Sequence, residues 1–109
     1  MSRLHVTRHD AATGPVLHVT GALDFEQATA LREQVERLVL SPGKHLFIDL
    51  SDLEFCDSTG ISALLAARQH AQAAGAEVIL AAVPADTLRI LRIIGLDQVF
   101  TIRPGSDTA

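Results

Sequence analysis

The strongest constraint on this chain is the way its hydrophobic period changes along the sequence. Leu4 and Val6, then Leu17 and Val19, alternate with polar neighbours, the two-residue period of half-buried strands. The turn-rich stretch from Asp10 to Pro15 is short enough for a hairpin, so antiparallel strands are expected at about Leu4 to His9 and Val16 to Gly21. From Phe25 the period lengthens. Phe25, Ala28, Leu31, Val35 and Leu38 lie three or four residues apart with charged residues between them, which predicts an amphipathic helix with Asp24 as its cap and Ser41-Pro42-Gly43 as its stop. Leu46 to Leu50 is apolar on both faces, as befits a central strand covered on both sides.

The alternation then repeats. Ile61, Leu64, Leu65 and Arg68 mark a second helix running to about Ala74, closed by Gly75 in the left-handed position. Val78 to Leu80 predicts a buried strand. A third helix begins near Ala85, after Pro84, and carries Leu88, Leu91 and Ile94 on one line before Gly95. Ile90 and Ile93 lie off that line: they belong either to a wide core-facing side or to a second interaction surface. Val99 to Ile102 predicts a last strand. The order ββαβαβαβ implies an α/β domain with a mixed, mostly parallel sheet of about five strands and three or more helices. Residues 1–103 form that domain. The polar tail 104–109 has nothing to bury and is expected to be disordered.

Several function classes drop out on composition. At 109 residues the chain fits one domain. Apolar runs such as Ile61 to Ala67 fall short of the roughly 20 residues that span a bilayer, so no membrane association is expected. Met1 to Asp10 lacks the apolar core of a secretory signal, which points to the cytoplasm. Thirteen acidic against nine basic residues, no basic run, and neither Trp nor Tyr leave no surface for nucleic acid. The single Cys56 cannot form an internal disulfide, and five scattered histidines offer no metal spacing. His5 and His9 on one strand would stand about 13 Å apart, while His18, His45 and His70 read as surface or strand-edge residues. No metal or cofactor is expected, and a monomer is the default.

In α/β sheets, function gathers where strands end and helices begin. Two segments fall there: Gly21-Ala22-Leu23-Asp24 and Glu54 to Gly60. Asp57-Ser58-Thr59-Gly60-Ile61 puts a carboxylate and two hydroxyls at a helix start. Asp57 or Ser58 can simply cap the helix, with Gly60 allowing close packing. Alternatively Ser58 is a phosphorylation site, where the helix dipole would tolerate the added charge. An enzyme using Ser58 as nucleophile would need a Gly-x-Ser-x-Gly elbow, and position 56 is Cys. Cys56 has no Lys or Arg near it in sequence to activate it and reads as structural. Ser41-Pro42-Gly43-Lys44 lacks the upstream glycine and the following Ser/Thr of a P-loop. The chain is not expected to be an enzyme, and no residue is assigned a catalytic role.

The combination of Gly21-x-Leu23-Asp24 after a strand, a long amphipathic helix, Leu50-Ser51-Asp52-Leu53 and Asp57-Ser58-Thr59-Gly60-Ile61 resembles the STAS domain of anti-sigma factor antagonists over about residues 4–102. The resemblance implies that Ser58 is phosphorylated by an anti-sigma factor that is itself a serine kinase and binds the ATP. Unphosphorylated chain would bind that kinase and release the sigma factor; phosphorylation would abolish binding, and a separate phosphatase would restore it. Thr59 is a secondary acceptor or a first-turn structural residue, and Asp57 orients the hydroxyl or caps. Asp24 matches a loop aspartate that helps contact the partner and its nucleotide, unless it only caps the first helix. Asp24, Asp57, Ser58, Thr59 and Gly60 make up the expected partner-binding set. The alternative is a STAS scaffold or accessory subunit of a signalling or transporter complex, without a switch at Ser58.

Overall fold

The computed structural model describes residues 3–104, so residues 105–109 of the expected tail lie outside it. In chain order come β1 (His5–Ala11), β2 (Gly14–Leu23), α1 (Ala28–Glu36), β3 (His45–Cys56), α2 (Ser58–Ala73), β4 (Glu77–Ala81), α3 (Ala85–Ile93), a short 3-10 turn (Leu96–Gln98) and β5 (Thr101–Arg103). The five strands lie in one sheet in sequence order. β1 is antiparallel to β2 and every later pair is parallel, the expected mixed, mostly parallel α/β arrangement. No helix among the described residues is long and apolar enough to cross a membrane.

Right-handed crossovers that all step the same way along a sheet deposit their helices on the same face. The main core accordingly joins Leu31 of α1, Leu64 of α2 and Leu91 of α3 to Leu17, Ile48 and Leu80 of the central strands. Burial of each such side chain contributes about 1.5–3 kcal/mol. β3 is central as expected, but helices cover only one of its faces. Phe47 points the other way and clusters with Val16 and Ile79, without any helix residue. It is nonetheless only 1% exposed, because the His45 ring meets it edge-on at 6.1 Å and the Arg103 guanidinium lies 5.5 Å from its ring centroid.

Four boundaries differ from the sequence expectation. The hairpin closes on Ala12-Thr13 alone, since β1 and β2 stay paired out to Ala11 and Gly14; an edge strand with mostly exposed residues needs no apolar alternation there. α1 starts at Ala28 with Gln27 as its N-cap, so Phe25 leaves the buried stripe and is 76% exposed. β3 continues six residues past Leu50, paired with β2 alone. Its register slips twice, between the partners of His18 and Thr20 and again between those of Gly21 and Ala22. Each slip is a β-bulge that inserts one residue into β3, which turns the two-residue alternation into burial at Leu50, Leu53 and Cys56. Finally, β5 is Thr101–Arg103, because residues 96–98 wind into the 3-10 turn and Phe100 drops into the core.

On α3 the expected line of Leu88, Leu91 and Ile94 is corrected. Leu91 and Thr87 are buried, whereas Ile94 caps the helix end and is exposed, as are Ile90 and Ile93. Gly75 has the expected left-handed backbone after α2, with φ of 75°.

Candidate functional site

The two segments singled out in sequence meet at the carboxyl ends of β2 and β3, and Asp57 joins them. Its backbone N–H donates to the Leu23 carbonyl at 3.3 Å. Its carboxylate Oδ1 accepts from the Gly60 N–H at 2.9 Å, which makes Asp57 the N-cap of α2. The other oxygen, Oδ2, accepts from the Phe25 N–H at 3.2 Å. Both carboxylate oxygens are therefore committed to backbone donors on two different elements. That second bond ties the start of the loop before α1 to the residue that caps α2.

Asp24 is half-buried, and its Oδ1 accepts from the Gln27 N–H at 3.1 Å. It caps the turn that leads into α1, one step before the helix proper, whose N-cap is Gln27. Ser58 is the first residue of α2 and exposed. Its carbonyl accepts from the Ser62 hydroxyl at 3.1 Å, and none of the side-chain hydrogen bonds found among the described residues uses the Ser58 Oγ. Capping is thus done by Asp57, and the exposed Ser58 side chain is not needed for it. Thr59 is partly buried. Gly60 is buried under the loop: a Cβ there would overlap the Leu23 carbonyl oxygen and lie 2.9 Å from both Leu23 Cγ and Cys56 Sγ. Its absent side chain is what lets β2 and α2 close on each other.

Cys56 is buried, and its thiol is pushed up to about 12, first by burial and then by the adjacent Asp57 carboxylate. At pH 8 the thiolate is scarce, so the native chain is expected to react with iodoacetamide at least about a hundredfold more slowly than the chain unfolded in urea. Comparable rates in the two states, followed by mass spectrometry, would contradict this structural assignment.

Sequence reasoning missed two exposed aromatic residues beside the site. Phe25, which follows Asp24, stands at helical spacing from Ala28 and Leu31 and so reads as part of the buried stripe. Phe55, 40% exposed, lies opposite Ala22 only because of the second bulge, and no local pattern signals that. The surface histidines also turn out to be partnered: His18 Nε2 lies 2.9 Å from Asp52 Oδ2 and His45 Nε2 3.9 Å from Glu77 Oε2. His70 lines a groove between α1 and α2 with Arg32 and Glu36.

Comparison with known proteins adds to this geometry. The family model described as "STAS domain" matches residues 4–109. A STAS-domain containing protein of Pseudomonas aeruginosa is 29% identical over 86 residues, covering 79% of this chain and 84% of the relative. The anti-sigma-B factor antagonist of Listeria monocytogenes is 26% identical over 87 residues, covering 80% and 76%. Among solved structures, an anti-sigma factor antagonist from Mycobacterium paratuberculosis superposes with a TM-score of 0.75 at 26% identity, covering 95% of this chain and 88% of that one.

Proposed function

This chain belongs to the STAS domain family, and from that premise we propose that it is an anti-sigma factor antagonist: a non-enzymatic binding module switched by phosphorylation of Ser58. The observation that supports this best is the division of labour at the start of α2. Asp57 supplies the cap, so the exposed Ser58 hydroxyl can be modified without removing a hydrogen bond that holds the fold. Relatives and a solved structure named anti-sigma factor antagonists point the same way.

The unphosphorylated chain binds an anti-sigma factor serine kinase, which carries its own ATP, and the sigma factor is released. Partner contacts fall to Ser58, Thr59 and the Asp24-Phe25 loop, with Asp57 and Gly60 holding that surface in shape from beneath. A phosphoryl group on Ser58 adds about −1.5 to −2 charges. It would stand on the positive end of the α2 dipole, so the fold tolerates it, but next to Asp57 and the Asp24 loop it concentrates negative charge. A partner surface fitted to a neutral hydroxyl then meets repulsion and a desolvation cost. A phosphatase reverses the change.

The test is to incubate the protein with ATP and soluble lysate of its own host, then map added phosphate by mass spectrometry with Ser58→Ala alongside. Phosphate on Ser58 that vanishes in the variant is the expected result. Its absence, under conditions where the lysate phosphorylates other proteins, would overturn the switch and favour a constitutive scaffold or accessory subunit.

A further inference from the structure

The sheet leaves one strand edge open. β3 pairs with β2 as far as Cys56, but its pairing with β4 ends at Asp49 opposite Ala81. Ala82 then takes a left-handed backbone, φ 52°, and donates its N–H to the Arg103 carbonyl, which turns the chain toward β5 and out of the path β4 would have followed. Among the described residues no strand pairs with Ser51 to Cys56 on the side away from β2. Instead α3 stands across the gap, and a groove of about 420 Å³ opens between the two.

Three features of that groove define what fits it. Its apolar lining includes Leu53, Phe55, Pro84 and Ile90, and both Phe55 and Ile90 are more than a third exposed. Ile93, one turn further along α3, is 76% exposed and extends the apolar strip. Two carboxylates, Glu54 and Asp86, line the same groove against one guanidinium, Arg89. The Ser51 N–H is already taken by the Asp49 carboxylate Oδ1 at 3.0 Å, but the strand backbone beyond it, left without a partner strand, is a template for an added one: an extended peptide gains main-chain hydrogen bonds while alternate side chains enter pockets. A helix seated there would leave those backbone groups unmatched. Cys56, at the end of the groove's β3 wall, is two residues before Ser58 in the chain.

We propose that this groove holds a short extended segment of the same anti-sigma factor that meets Ser58, added as a strand along residues 52–56, with an apolar side chain against Phe55 and Ile90 and basic side chains toward Glu54 and Asp86. The proposal rests on the switch reading above. The partner is anchored on one side of β3 and sensed for phosphate at its end, so the two contacts act together.

The purified kinase that phosphorylates Ser58 serves as the probe, with affinity measured by calorimetry and amide protection by hydrogen exchange. Ile90→Asp is expected to weaken binding at least tenfold. The charge reversal Glu54→Lys with Asp86→Lys is expected to weaken it several-fold, most strongly at low salt. Circular dichroism melts establish that these surface variants fold. Amides within residues 52–56 gain protection in the complex. If both variants bind as wild type does while Ser58→Asp does not, the groove proposal fails and the switch stands. Protection on α3 without protection on β3 would mean that a helix or a globular surface sits there, and would overturn the added strand. Failure of the wild-type chain to bind would sink both readings.

Discussion

Phosphorylation of Ser58 is expected to weaken binding of the anti-sigma factor by about a hundredfold, a loss near 3 kcal/mol, while leaving the protein folded. Ser58→Asp, with one added charge, should lower affinity at least about tenfold. Ser58→Ala should stay within about threefold of wild type, since it removes only an exposed hydroxyl. Melting temperature is the control that separates binding from folding. The first turn of α2 has no acidic residue, so an aspartate at Ser58 interacts favourably with the helix N-terminus, by about 0.3–1 kcal/mol. The variant should therefore melt no lower than wild type. A Ser58→Asp protein that binds as tightly as wild type would remove the electrostatic basis of the switch. One that melts several degrees lower would show that repulsion from the neighbouring Asp57 outweighs the pull of the helix end, so that the fold does not tolerate charge at this position.

The second large effect is expected at Gly60. Gly60→Ala places a methyl group into the Leu23 carbonyl and against Cys56 Sγ. The obstacle is backbone that is already hydrogen-bonded to the Asp57 N–H, so it cannot yield as the tip of a flexible side chain would. Overpacking of this kind costs about 1–3 kcal/mol. For a domain of this size that is a fall of roughly 5–15 °C in melting temperature, even though alanine is a better helix former than glycine. The same displacement would pull α2 away from the Asp24-Phe25 loop, so binding of the anti-sigma factor should fall as well. An unchanged melt would mean that β2 and α2 are less tightly closed than the structure has them.

These two positions, only two residues apart, were read from sequence with unequal success. The aspartate and hydroxyls just before an amphipathic pattern were recognisable as a helix start, because capping chemistry is local. That Asp57 caps and Ser58 does not was open in sequence, since either side chain has an oxygen to offer. Gly60 was legible as a close-packing glycine, but not what it packs against, because Leu23 lies on another strand.

The sequence by itself determined the order of strands and helices, their parallel succession and the place of the Asp57-Ser58 segment at a strand end, because each follows from a hydrophobic period or a turn residue within one short window. Tertiary structure alone decided the rest. The bulges that lengthen β3 depend on pairing with β2, about 30 residues away. The Phe25 N–H finds its acceptor on a carboxylate 32 positions later. The burial of Phe47 depends on Arg103 at the far end of the described chain. A local pattern records which side chains are apolar, whereas a backbone N–H takes whichever acceptor the fold brings to it.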